Sequence, residues 1–126
     1  MANSVLTTYP VNGSRVFQAV IQISCDGSGE LAATTVIDPA NLTGKPATFK
    51  IKRVNWAFDG FSGSLRWNAS APTLALSMPT YGDEMNFFKT GAPCLNGASS
   101  PDGKLTLTTL GMTSGDTGTI TINGYH

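Results

Sequence analysis

The feature that most constrains this chain is a two-residue alternation of apolar and polar side chains. It recurs in short runs, and no helical period longer than two turns replaces it. From Ser14 to Ser24, Phe17, Ala19, Ile21 and Ile23 share one phase and Gln18, Val20 and Gln22 the other, which is the pattern of a strand with one buried face. Cys25-Asp26-Gly27-Ser28-Gly29 is turn chemistry, and the β-branched run Thr34-Thr35-Val36-Ile37 predicts a second strand over Glu30 to Ile37. Asp38-Pro39 ends it, because proline has no amide for a ladder.

Between Thr48 and Phe58 the phase changes. Phe49 and Ile51 alternate in one register, Val54, Trp56 and Phe58 in the next, so one extra residue near Lys52-Arg53 predicts a bulge. Asp59-Gly60 then reads as a hairpin turn into Phe61, Gly63, Leu65 and Trp67. Further strands are predicted at Thr73 to Met78, Glu84 to Phe88, Lys104 to Leu110 and Thr117 to Asn123, with a Gly/Pro/Asn/Ser loop over Thr90 to Gly103. The fold expected is all-β: an antiparallel, jelly-roll-like β-sandwich of about eight strands, with a small closed β-barrel as the alternative. Residues 14–126 form its single domain. Residues 1–13, with Pro10 and the turn pair Asn12-Gly13 but no helical period, are read as an extended arm ahead of it.

Chemistry is sparse. The one histidine is His126, the last residue, where fraying is the ordinary expectation. The serines and Cys94 stand in no nucleophile motif, and the acids are scattered, so no catalytic residue, cofactor or metal site is assigned. Asp59 and Asp102, each before a glycine, read as turn residues rather than a carboxylate pair for glycoside hydrolysis, and Asp83-Glu84 as a solvated turn rather than part of a calcium site. Cys25 and Cys94 match no metal or redox spacing and read as two free, buried thiols. Eight basic and eight acidic residues cancel, which argues against nucleic acid and anionic membrane as partners. No apolar run reaches a membrane span, and the start Met1-Ala2-Asn3-Ser4 lacks a signal-peptide pattern, so synthesis in a cytoplasm is expected.

Two features point to surfaces instead. Lys45, Lys50, Lys52 and Arg53 gather half of the basic residues, as either a solvated strand face or a docking patch for an acidic partner. Trp56, Phe58, Phe61 and Trp67 sit in core phase, whereas Tyr81, in a loop, is the freest aromatic for stacking on a sugar.

Several segments resemble small virion structural proteins of tailed phages: Val16 to Ile23, Leu31 to Pro39 ending in Val36-Ile37-Asp38-Pro39, and the stretch Ile51 to Asn68 with Leu65-Arg66-Trp67-Asn68-Ala69. Gly103-Lys104-Leu105-Thr106-Leu107-Thr108-Thr109 and Gly115-Asp116-Thr117-Gly118-Thr119-Ile120-Thr121-Ile122 extend the likeness. The resemblance implies a non-enzymatic capsid decoration or cement protein in the virion, made in the host cytoplasm. Its partner would be the major capsid protein, which it binds between capsomers, commonly as a homotrimer. On that reading the expected capsid-binding residues are Val5, Leu6 and Tyr9 of the arm, with Lys50, Lys52 and Arg53. A carbohydrate-binding head-fibre module and a minor tail or connector subunit are the alternatives.

Overall fold

The computed structural model describes residues 3–27, 29–46, 49–69, 73–79, 82–86 and 103–126. Among these described residues nine strands are assigned: β1 (Ser4–Asn12), β2 (Val16–Ser24), β3 (Thr34–Ile37), β4 (Lys50–Asp59), β5 (Ser62–Trp67), β6 (Thr73–Met78), β7 (Asp83–Asn86), β8 (Leu105–Leu110) and β9 (Thr117–Tyr125). They form two antiparallel sheets, β1-β2-β9-β4-β7 and β3-β8-β5-β6, here called A and B. Leaving β1 aside, the chain crosses between sheets at every connection except β5 to β6, which is the strand order of a jelly roll. Among the described residues the sheets stay separate, so the sandwich holds and the barrel does not. No described helix is long and apolar enough to cross a membrane.

The counted alternation decides which side of each strand is buried. Phe17, Ala19, Ile21 and Ile23 of β2 meet Ile120 and Ile122 of β9, and Leu65, Trp67, Leu105 and Leu107 supply the facing layer. Each large side chain removed from water contributes roughly 1.5–3 kcal/mol, which makes this layer the main source of stability. Aromatic contacts link the sheets: Phe17 lies edge-on to Phe49 (5.3 Å between centroids), and Phe49 tilts against Trp67 (5.2 Å). Trp56, Phe58, Phe61 and Trp67 are all buried, as their phase predicts.

The bulge is where the phase change places it. Ile51 pairs with Gly124 and Arg53 with Asn123, leaving Lys52 as the extra residue. Phe49, Ile51 and Val54 therefore all reach the core although their spacing is uneven.

Three expectations are corrected. Asp59-Gly60 is not a hairpin turn, because β4 belongs to sheet A and β5 to sheet B. Phe58 and Phe61 both point inward and stack at 4.7 Å, so the chain arches across the core between them. Gly60 permits the arch with φ +95°, and a Cβ there would collide with the Asp116 carboxylate. The second strand begins at Thr34 rather than Glu30, because Ala33 takes φ 48° and the Glu30 carboxylate is held by the amide of Met112.

The third correction concerns the arm. Ser4–Asn12 is extended, but it is edge strand β1, paired with β2 from Ser4↔Ser24 to Asn12↔Phe17. Its alternation is weak because only one side packs: Val5 and Tyr9 lie against the core while Ser4, Leu6 and Thr8 face solvent. Pro10 sits where the register shifts, a place where a missing amide costs no ladder bond. Side chains fasten both ends of β1. Asn3 donates to Gly29 O (2.6 Å) and accepts from the Asp26 amide (2.9 Å). Asn12 donates to Asn41 O (3.0 Å) and accepts from the Thr43 amide (2.7 Å), and midway Thr7 Oγ1 donates to Val36 O in sheet B (2.7 Å).

Candidate surfaces for binding

The residues expected to act together divide once they are placed. Val5 and Tyr9 are packed against the core of their own chain, and burial pushes the Tyr9 hydroxyl above its ordinary pKa. Leu6 is 54 % exposed on the outer face of sheet A. Lys50, Lys52 and Arg53 share that face, for a reason rooted in the bulge. In a regular strand Lys52 and Arg53 would point to opposite sides, whereas the extra residue brings both outward.

Around these cations the face mixes amides and hydroxyls with Val11, Val16 and Val20. One cross-strand row runs Val11, Gln18, Asn123, Arg53, and the next runs Thr8, Val20, Thr121, Asn55, Glu84. Arg53 approaches Glu84 at 3.5 Å, both side chains more than a third exposed, so the pair is worth at most about 1 kcal/mol. With its amide turned to satisfy both neighbours, Asn55 donates to Glu84 Oε2 (3.2 Å) and accepts from Arg53 (3.1 Å). Lys50 Nζ lies 5.4 Å from the centroid of the Tyr125 ring, a cation–π distance. Beside it a groove of about 520 Å³ is lined by Arg15, Val16, Lys52, Gly124, Tyr125 and His126. His126 is docked rather than frayed: its amide donates to Arg15 O (2.8 Å), because β9 lies between β2 and β4 and carries the chain to that point.

Charge is sorted along the strands, although the whole sequence is neutral. β2 starts, β4 starts and β9 finishes at one end of the sandwich, and the β4–β5 and β8–β9 arches close the other. Apart from Lys89, which lies outside the described residues, every basic residue is at or toward the first end. Arg15, Lys50, Lys52 and Arg53 are on the sheet A side, Arg66 and Lys104 are on the sheet B side, and Lys45 is in the loop that Thr43 ties to Asn12. Asp26, Glu30, Asp59 and Asp116 cluster at the arches and Asp83 pairs nearby with Trp56, while among the described acids Asp38 stands near the basic end and Glu84 reaches toward it through its contact with Arg53. No single stretch of sequence shows this sorting. It arises because neighbouring strands run in opposite directions, so residues remote in sequence share an end.

At the arches the carboxylates serve the backbone. Glu30 accepts from the Met112 amide (3.1 Å) and from Thr109 Oγ1 (3.2 Å), and Asp116 accepts from the Thr113 amide and hydroxyl (2.9 Å each). Cys25 is buried among them, and burial, aided by Asp116, Glu30 and Asp26, raises its thiol pKa. Among the described residues no three His, Cys, Asp or Glu side chains gather as metal ligands. Cys94, Asp102, Tyr81 and the predicted strand end Phe87-Phe88 lie outside the described residues.

From the sequence, none of Arg15, Tyr125, His126 and the amides Gln18, Asn55 and Asn123 was assigned to a binding surface. The alternating polar phase of β2, β4 and β9 was the signal for the amides, but Arg15 and His126 join the face only through the pairing of β2 with β9. No protein-family model matches the chain, and no curated protein matches it.

Proposed function

We propose that this protein is a non-catalytic structural subunit of a phage virion, a decoration or cement protein that lies on the outer capsid surface between capsomers. The observation that carries the reading is the outer face of sheet A. It is a broad surface of Thr, Asn and Gln side chains with Leu6 toward one margin and Lys50, Lys52 and Arg53 toward another. A standard interface takes about 800 Å² from each partner, a modest share of the 6415 Å² this chain exposes. Hydroxyl and amide groups exchange water for partner hydrogen bonds at little net cost, while the cations fix orientation. The sequence likeness to tailed-phage virion proteins supplies the identity of the surface being covered.

In this reading β1 is not a free arm reaching for a neighbour, since it is paired with β2 and its Val5 and Tyr9 side chains pack on the core. Leu6, Lys50, Lys52 and Arg53 remain as capsid-facing candidates. A subunit that binds the expanded shell and not its precursor stabilises it by mass action, about 2.7 kcal/mol per site at a hundred times the dissociation constant.

Expanded capsids lacking the protein, mixed with purified chain and sedimented, test this. Saturable co-sedimentation that is weakened by Leu6→Asp and by Arg53→Glu is expected. Failure of the parent protein to co-sediment, or binding indifferent to both changes, overturns the proposal.

A further inference from the structure

The pair Asn12-Gly13 at the end of β1 is reactive as well as turn-forming. An asparagine side chain is attacked most readily by the following amide when that residue is glycine, because no Cβ stands in the way. The described residues hold two such pairs, Asn12-Gly13 and Asn123-Gly124, in opposite surroundings. Asn96-Gly97 lies outside the described residues.

At Asn12 the fold keeps the reacting groups apart. The side-chain amide donates to Asn41 O (3.0 Å) and accepts from the Thr43 amide (2.7 Å), Thr43 Oγ1 donates to Asn12 O (2.7 Å), and the Gly13 amide donates to Val16 O (2.9 Å). What these bonds hold is a short end of an edge strand. Pro10 and the register shift between Thr8 and Val11 separate it from the rest of β1, leaving Val11↔Gln18 and Asn12↔Phe17 as the pairs beyond the shift. Val11 and Asn12 are both exposed, so this end can open without withdrawing a core side chain. Asn123 is the contrast. It lies in β9, laddered to β2 on one side and β4 on the other, and Gly124 is so enclosed that a Cβ there would stand 2.6 Å from the Phe17 ring.

We infer that Asn12 is a deamidation site guarded by this latch, and that the reaction releases the end of β1 irreversibly. Once the end opens, the Gly13 nitrogen gives its proton to water and attacks Cγ of Asn12. An N–C bond forms, the Cγ–Nδ2 bond breaks, and ammonia leaves. Water then opens the cyclic imide at one of its two carbonyls, giving aspartate or isoaspartate with no change of oxidation state. Neither product restores the latch. A carboxylate has no hydrogen to donate to Asn41 O, and isoaspartate adds a methylene to the main chain, which displaces Gly13 from Val16 O. The inference does not depend on what the outer face of sheet A covers.

Peptide mass spectrometry of the parent protein, held at mildly alkaline pH in native buffer or in urea and then digested, tests it. In urea the two pairs should convert at rates within about twofold of each other, since glycine follows both asparagines. In native buffer both should slow, but Asn12 should convert at least about tenfold faster than Asn123, which waits on global unfolding. Thr43→Val, at an exposed side chain, removes the hydroxyl bond to Asn12 O and should speed conversion at Asn12 about two- to tenfold without moving Asn123. Hydrogen exchange of the converted protein should show protection lost at the Gly13 amide and kept over Ser4 to Thr8. Equal native rates at Asn12 and Asn123, a native rate at Asn12 equal to that in urea, or unchanged exchange at Gly13 after conversion overturns the inference. The comparison of the two pairs within the parent stands even if Thr43→Val fails to fold; a folded Thr43→Val protein with an unchanged rate at Asn12 also overturns it.

Discussion

Deleting Lys52 should leave this protein folded, whereas deleting Asn55, three residues further on, should unfold it. In β4, Ile51 and Arg53 already face consecutive residues of β9, Gly124 and Asn123, with Lys52 as the extra residue between them. Removing Lys52 converts the bulge into a regular ladder. Phe49, Ile51 and Val54 keep their inward side, Lys50 and Arg53 stay outward, and the stability change should be about 1 kcal/mol or less. Removing Asn55 also yields a regular ladder, but one in which Arg53 comes opposite Ile122 in the core and Val54 turns to solvent. Exposing Val54 costs roughly 1.5–3 kcal/mol. An unpaired guanidinium in the core adds about 3–5 kcal/mol. Together these approach the 5–15 kcal/mol that typically holds a domain folded. Urea titration followed by the fluorescence of the buried Trp56 and Trp67 reads both deletions. A Lys52 deletion that fails to fold, or an Asn55 deletion as stable as the parent, refutes the account of β4.

Removing residues 1–12 should cost several kcal/mol or abolish cooperative unfolding, because β1 covers the edge of β2 and bridges to Val36; an unchanged melting temperature would restore the free-arm reading. Gly118→Ala should destabilise by about 1–3 kcal/mol, since the new Cβ falls 2.7 Å from a ring carbon of Phe58 and 2.8 Å from one of Phe61, and thermal unfolding reads it. Cys25 and Tyr9 both have raised pKa values, so the fold favours their protonated forms. Their contribution is complete below the ordinary values of 9.0 and 10.0 and is lost as pH rises through the higher folded values, so melting temperature should fall above about pH 9. The Cys25 thiol should accordingly react with an aromatic disulfide far more slowly in native protein than in urea, where equal rates would contradict its burial.

What was legible in the sequence was whatever a single strand determines. Period two identified β2, β4, β5, β6, β8 and β9, and the phase slip near Lys52-Arg53 located the bulge. What was illegible depended on where a strand goes after it ends. Asp59-Gly60 has the residues of a hairpin turn, yet the inward stacking of Phe58 on Phe61 sends β5 to the other sheet, and only the assembled core decides that. The role of β1 was hidden because an edge strand with one half-buried side shows little alternation. Lys50, Lys52 and Arg53 were visible as a cluster; the partners that complete their surface, Arg15, Tyr125 and Asn123, come from strands remote in sequence. Net charge was misleading for a related reason: it sums over both ends of a molecule whose ends differ in sign.

The most direct measurement of the proposed role is the position and copy number of this chain in intact particles, by electron microscopy of the virion. Hundreds of copies on the outer shell between capsomers, each with the outer face of sheet A against the capsid, are predicted. A dozen or fewer copies at a vertex or tail, or copies attached through sheet B, would contradict it.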